Sequence, residues 1–119
     1  MKNILILFTI AFTLSACAGL PRPGTSLVST GKAPETNSVY RVEKYEEPKT
    51  IEGVHATHAI ITELYPKTTY LYYIDLADAH YYATVLGPQV CEDAGLSLRN
   101  MGIQRDLTGI RGIINLSCR

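Results

Sequence analysis

Residues 87–102 read GPQVCEDAGLSLRNMG, and residues 113–118 read IINLSC. The first stretch is typical of a helix, because it has a proline in the first turn, acidic residues near its start and a glycine at its end. It predicts a helix of about 14 residues with one apolar stripe, inside which Gly95 costs ~1 kcal/mol. The residues of this stripe are Val90, Ala94, Leu98 and Met101. The second stretch, residues 113–118, predicts a strand.

Each of these two stretches carries a cysteine, Cys91 in the predicted helix and Cys118 at the end of the predicted strand. A helix of about 14 residues rises roughly 21 Å, and a strand of about 20 Å that runs back beside it ends near the first helical turn. This arrangement would place the two thiols next to each other. Whether they are oxidised depends on the compartment in which the protein folds.

Residues 39–47, VYRVEKYEE, predict a strand upstream of the helix. Their partial alternation puts Tyr40 and Val42 on one face and Arg41 and Glu43 on the other. Such a pattern is typical of a strand whose two faces meet different surroundings.

Two further segments, residues 68–75 and 80–87, are rich in aromatic and β-branched residues and also predict strands. The intervening LADA at residues 76–79 predicts a connection. The whole pattern predicts an α+β fold, in which a small antiparallel sheet of about four strands carries one packed helix.

Residues 50–66, TIEGVHATHAIITELYP, fit either a helix or a strand. On a helix, Glu52, His55 and His58 face one way and supply a carboxylate and two imidazoles for zinc or copper. On a strand, the offset of three puts His55 and His58 on opposite faces, and the metal site disappears. We favour the strand, because Val, Ile and Thr are frequent here and Gly53 interrupts the segment.

Residues 1–16 have the three parts of a secretory signal peptide. Lys2 and the amino terminus precede the apolar run ILILFTIAFTL at residues 4–14, and Ser15 and Ala16 follow it. As a helix the run spans roughly 16 Å, which is too short for a hydrocarbon core of about 30 Å. We therefore expect these residues to be removed; an N-terminal core helix is the alternative.

Residues 14–17, LSAC, resemble the lipobox of bacterial lipoproteins. In that family a peptidase cuts before the cysteine, whose sulfur carries a diacylglyceryl group and whose new amino group is acylated. The resemblance implies that Cys17 is lipidated and anchors the mature protein in a membrane. Ala18 stands where the family's inner-membrane retention signal has aspartate, which implies an outer-membrane anchor with the domain facing the periplasm.

The stretch after Cys17 is rich in Gly, Pro, Ser and Thr and has no hydrophobic period. We expect residues 17–38 to form the lipidated cysteine and a flexible tether, with an end-to-end distance on the order of 25 Å. An irregular arm packed on the domain is the alternative. The globular domain is then expected over residues 39–119.

Export changes both the charge balance and the cysteine count. The 11 Lys and Arg residues of the full chain balance its 11 Asp and Glu residues, and removal of Lys2 with the signal peptide leaves the mature chain with a slight negative charge. No basic surface for nucleic acid is therefore expected. In an oxidising compartment the remaining pair, Cys91 and Cys118, predicts a disulfide that stabilises the domain by roughly 3.6 kcal/mol. Two buried free thiols are the alternative.

Six of the eight tyrosines lie within residues 65–82. On strands, one member of each adjacent pair would face outward, which makes Tyr72 and Tyr82 candidates for a binding surface. Ordinary cross-strand packing is the alternative. Asp75 and Asp78 are expected to bond their own backbone in a turn rather than to act as paired catalytic carboxylates.

The sequence contains no serine-nucleophile elbow, phosphate-binding glycine loop or CxxC motif. We therefore expect a non-enzymatic lipoprotein of the cell envelope that needs no cofactor. Its domain is expected to bind another envelope component, such as an assembly partner, a receptor to be blocked or cell-wall material. A metal-binding lipoprotein that uses His55 and His58 is the alternative function.

Overall fold

A computed structural model of the protein describes residues 20–63, 74–106 and 111–119. It has one antiparallel sheet of five strands with a single helix of 18 residues packed on it, which confirms the predicted α+β fold. The strands are β1 (Thr25–Lys32), β2 (Val39–Ile51), β3 (Val54–Glu63), β4 (Leu98–Gln104) and β5 (Arg111–Cys118). The helix, α1, consists of the consecutive segments Leu76–Tyr81, Tyr82–Leu86 and Gly87–Asp93, and the middle segment is π-helical.

The strand order in the sheet is β1-β2-β3-β5-β4, and all neighbours are antiparallel. β3 and β4 therefore run in the same direction with β5 between them, and α1 makes the crossover, as in a split βαβ unit. Glu52 and Gly53 join β2 to β3 with φ values of 47° and 85°, which are typical of a two-residue type I′ turn.

The face of the sheet under α1 carries the larger apolar core. Strand side chains meet helix side chains there in one contiguous cluster. The predicted alternation of β2 is confirmed, since Val42 belongs to this core whereas Arg41 and Glu43 lie on the other face. The buried members from the sheet are Val42, Ile60, Ile114, Leu116 and Cys118, and those from the helix are Tyr82, Leu86, Val90 and Cys91.

The N-terminal half of α1 occupies residues for which a connection and a strand were predicted. Asp75 caps the helix, because its Oδ1 accepts a hydrogen bond from Ala77 N at 2.9 Å. The strand predicted over residues 80–87 is wrong, since burial of Tyr82 in the core overrides local β propensity. Gly87 closes the π-helical turn by donating its N–H to the Tyr82 carbonyl, and a Cβ at Gly87 would lie 2.8 Å from that oxygen.

α1 ends at Asp93, and Gly95, which was predicted to lie inside a longer helix, follows its C-terminal cap. Gly95 has φ 74°, in the left-handed region. Its N–H donates to Glu92 O while the Leu96 N–H donates to Cys91 O, which is the Schellman pattern. The predicted helix was therefore wrong beyond this point, where Leu98–Gln104 forms β4.

The predicted disulfide between Cys91 and Cys118 is confirmed, and the two Cα atoms lie 5.3 Å apart. Both cysteines are buried in the main core. The bond joins the last turn of α1 to the end of β5, not the first turn of a helix as expected. It therefore fastens the helix to the sheet near the point where the chain leaves the helix.

Residues 25–32 were expected to belong to a flexible tether, and the structure corrects this expectation. They form β1, which pairs with β2 from Thr25 opposite Tyr45 to Lys32 opposite Val39. After the strand the chain turns inward, and Ala33 is fully buried in the main core. The composition of these residues did not predict a strand, because most β1 side chains are exposed and show no apolar period. The strand depends instead on backbone pairing with β2.

Candidate functional site

The two histidines considered as metal ligands both lie on β3, which confirms the strand, but they differ in burial. His55 is exposed near the β2–β3 turn, whereas His58 is 3% exposed. Regular alternation does not separate them, because Ala56 and Ala59 both contribute to one cluster on the face opposite α1. Thr57 interrupts the ladder between them, and its hydroxyl accepts a hydrogen bond from the Cys118 backbone N–H at 3.0 Å. The two histidines therefore lie in different environments, one exposed and one buried.

The environment of His58 favours a neutral imidazole. Burial lowers the pKa of His58, and the positive charge of Lys44, its partner on β2, lowers the pKa further. Across the described part of the chain, no three or more His, Cys, Asp or Glu side chains are grouped so that they could hold a metal ion.

Tyr82, predicted as a binding residue, lies inside the protein and is 0% exposed. Its ring packs edge-on against Tyr40 with the centroids 5.9 Å apart, and it packs at a tilt against Tyr81 with the centroids 5.7 Å apart. The prediction placed Tyr82 on a strand, and the helix instead turns its ring into the core. Tyr72, the other candidate, lies outside the described residues, as does Cys17.

A buried carboxylate adjoins this aromatic cluster. Asp78 lies one helical turn before Tyr82, is 2% exposed and accepts a hydrogen bond from Thr36 Oγ1 at 2.7 Å. Its other oxygen, Oδ1, and the Tyr82 hydroxyl are buried without a hydrogen-bond partner. Burial raises the pKa of Tyr82, and the charge of Asp78 raises it further. Asp78 was expected to bond its own backbone in a turn; instead it fastens the segment before β2 to α1.

The largest polar site was missed by the sequence analysis and lies on the face of the sheet that α1 does not cover. Glu43 is 0% exposed there. Its Oε1 accepts a hydrogen bond from Arg22 Nε at 2.8 Å, and its Oε2 accepts one from Arg41 Nε at 2.6 Å. The Arg22 backbone N–H also donates to Oε2, at 3.2 Å. Glu43 thus holds the segment before β1, residues 20–24, on the sheet; we call this segment the N-terminal arm.

The polar network continues across the sheet through Tyr45. The Tyr45 hydroxyl accepts a hydrogen bond from Arg22 Nη2 at 2.9 Å and donates one to Asn115 Oδ1 at 2.5 Å. Asn115 Nδ2 then donates to Gln104 Oε1 at 2.8 Å. The small side chain of Ala59, which pairs with Asn115 in the register, leaves room for Tyr45 to reach from β2 over β3 to β5.

The charges of this network stabilise one another. Burial acts to raise the pKa of Glu43, but the hydrogen bonds from Arg22 and Arg41 outweigh it, and the pKa lies below its ordinary value. Burial acts to lower the pKa of Arg22, and its bonds to Glu43 and Tyr45 outweigh that effect, so the pKa is raised. A carboxylate neutralised by two guanidinium groups is a weak base, so this geometry fits a clamp on the N-terminal arm better than a catalytic group.

The N-terminal arm and β1 also expose apolar side chains. Leu20 is 66% exposed, Leu27 45% and Val28 50%, and we call these three side chains the β1 surface. The pairing of β1 with β2 shifts register between Leu27 and Ser29, which marks an irregularity at Val28. Exposed apolar side chains next to an edge strand mark a place where the domain can contact something else.

Comparisons of the chain with protein-family models, with curated proteins and with solved structures found no match. Within the described residues, no helix combines the length and the apolar character needed to cross a membrane.

Proposed function

We propose that the protein is a lipid-anchored component of the cell envelope, whose small domain binds another envelope protein or a cell-wall component without catalysing a reaction. The observation that carries the proposal is the sequence LSAC at residues 14–17, which resembles a lipobox and follows the apolar run of a signal peptide. Lipidation of Cys17 would anchor the mature chain in the outer membrane, with the domain in the periplasm.

Two features of the folded domain support this proposal. The disulfide between Cys91 and Cys118 suits an exported protein, because disulfides persist in oxidising compartments. In addition, Arg22 follows Cys17 by five residues and is already held by Glu43. A lipid on Cys17 would therefore keep the domain beside the membrane.

A binding role fits this domain better than catalysis, because its two buried carboxylates, Glu43 and Asp78, hold other segments of the chain in place. Glu43 is paired with two arginines, and Asp78 accepts a hydrogen bond from the Thr36 hydroxyl. The surface instead offers apolar side chains at β1 and on the outer side of α1, where Val85 is 53% exposed. Apolar side chains of this kind contribute to association by burial.

Mass spectrometry of the protein extracted from membranes of the producing cells tests the anchor. We expect a chain that begins at Cys17, with a diacylglyceryl group on its Sγ atom and an acylated amino group. The Cys17→Ser variant is expected to leave the membrane fraction. A chain that still begins at Met1, or an unmodified Cys17, would contradict the proposal.

Crosslinking in the intact envelope, followed by mass spectrometry, tests the binding role. The matched control carries the same residues 1–24 fused to an unrelated domain, so that it shares the anchor but not the sheet. We expect one defined envelope protein or cell-wall fragment to be enriched with the full chain only. Equal recovery with the control would show that the domain has no partner of its own.

A further inference from the structure

The position of the N-terminal arm limits how far the domain can move from a lipid on Cys17. Arg22 is bound at three of its nitrogen atoms, by Glu43 and Tyr45, and its carbonyl oxygen accepts a hydrogen bond from the Thr25 hydroxyl at 2.7 Å. Five fully extended residues span at most about 18 Å. The clamped end of the arm therefore lies no farther from Cys17 than about 18 Å, which is less than half of the roughly 40–45 Å thickness of a bilayer with its headgroups.

The apolar side chains of the β1 surface lie beside this clamped point. Leu27 is the β1 partner of Glu43 in the register, and Glu43 is the residue that holds Arg22. Leu20 lies two residues before Arg22 and is 66% exposed. The clamp and the exposed apolar side chains thus occur at the same edge of the sheet, and Cys17 precedes the clamped Arg22 by five residues in the sequence.

The composition of this edge suits the interface of a bilayer. Residues 20–32 contain Arg22 and Lys32 but no Asp or Glu, so no carboxylate in this segment repels lipid phosphates. Ser26, Ser29 and Thr30 are exposed and can form hydrogen bonds with headgroups. The register shift at Val28 disturbs the strand edge, which argues against a partner that adds a regular strand there.

We propose that the β1 surface is the membrane-docking surface of the domain. Leu20, Leu27 and Val28 enter the headgroup region of the same diacyl-lipid leaflet that holds the Cys17 lipid. The inference rests on the proposed lipidation of Cys17. Docking fixes the orientation of the domain and leaves the outer side of α1, on the opposite face of the sheet, for contact with other envelope components.

Site-specific photocrosslinking of the full chain in its native membrane tests this docking. A photoreactive benzophenone amino acid replaces Val28 in one variant and Val85 in another; these valines are 50% and 53% exposed, so they form a matched pair. We expect lipid adducts several-fold more abundant at position 28 than at position 85. Equal lipid capture at both positions, or capture of a protein at position 28, would overturn the inference.

Two measurements keep this result separate from the proposed function. Mass spectrometry of Cys17 in the same samples reports the anchor; an unmodified Cys17 defeats the proposed function, whereas a lipidated Cys17 without lipid capture at position 28 defeats only the docking. With the probe at position 28, the double variant Leu20→Ser/Leu27→Ser is expected to reduce lipid capture several-fold. The matched double variant Leu76→Ser/Val85→Ser, on exposed positions of α1, is expected to leave it unchanged. Equal effects of the two double variants would also overturn the docking.

Discussion

The two faces of the sheet are stabilised in different ways. Under α1, apolar side chains such as Ile60 and Leu116 are buried and a disulfide fastens the helix, whereas the opposite face buries Glu43 with two arginines. Apolar packing tolerates substitutions of similar volume. A buried ion cluster depends on every partner, because a charge left unpaired in the interior is costly. The face without the helix therefore determines where the N-terminal arm lies, while the face under α1 holds the main core.

The largest effect is expected from removal of the central anion. Glu43→Ala leaves Arg22 and Arg41 without their common partner, and we expect the free energy of unfolding to fall by about 3–5 kcal/mol. Urea unfolding measures the change. Glu46→Ala, at an exposed position of the same strand, is the control and should change stability by no more than about 0.5 kcal/mol. Similar values for the two variants would mean that the ion cluster does not stabilise the fold.

Removal of the disulfide tests how much this bond stabilises the side of the sheet that α1 covers. We expect the double variant Cys91→Ser/Cys118→Ser to lose roughly 3.6 kcal/mol of unfolding free energy, because the unfolded chain is no longer constrained. Reduction of the natural protein should give a similar loss in urea unfolding. Reductant should not change the stability of the double variant; if it does, the loss has another cause.

Removal of one tyrosine hydroxyl from each face of the sheet should have different effects on stability. Tyr45→Phe removes a hydroxyl that bonds Arg22 and Asn115, and we expect a loss of about 1–3 kcal/mol in unfolding free energy. Tyr82→Phe removes a buried hydroxyl without a partner, so the stability should stay the same or rise. Thermal or urea unfolding distinguishes them, and an equal loss for both variants would contradict the assignment of partners.

Acidification should lower the free energy of unfolding in two steps, the first due to His58 and the second due to Glu43. Because the pKa of His58 is lowered in the folded state, the unfolded chain binds a proton first, and stability should begin to fall below about pH 6.5. The pKa of Glu43 is also lowered, so a second fall is expected below about pH 4.3, as the unfolded carboxylate takes up its proton. Unfolding measured at several pH values should show that His58→Asn removes the first fall and Glu43→Gln the second. His55→Asn is the exposed control, and an unchanged pH profile of the His58 variant would refute the assignment.

Some elements could be predicted because their signals are local. The alternation of residues 39–47 identified β2 and its two faces, and residues 113–118 were recognised as a strand. The two cysteines expected to pair do so. The helix boundaries failed, because Gly95 was treated as a costly interior residue although its left-handed φ ends the helix.

The charged network could not be predicted, because its members are far apart in the chain. Arg22 and Glu43 are separated by 21 residues, and Tyr45 and Asn115 by 70. Nothing in the composition of the N-terminal arm indicated that one arginine would be drawn onto the sheet. The available signal was the position of Glu43 on β2, since a carboxylate on a buried face needs a cationic partner.

The sequence by itself determined the features that depend on neighbouring residues: the strand pattern of β2 and β5, the two cysteines of the domain, and an N-terminal stretch that resembles a signal peptide with a lipobox. Tertiary structure alone decided that residues 25–32 form a strand, that Tyr82 turns inward on a helix, and that Glu43 clamps the N-terminal arm. The physical reason is that β pairing, burial and ion pairing each require a partner from elsewhere in the chain. Such partners are brought together only when the sheet has formed.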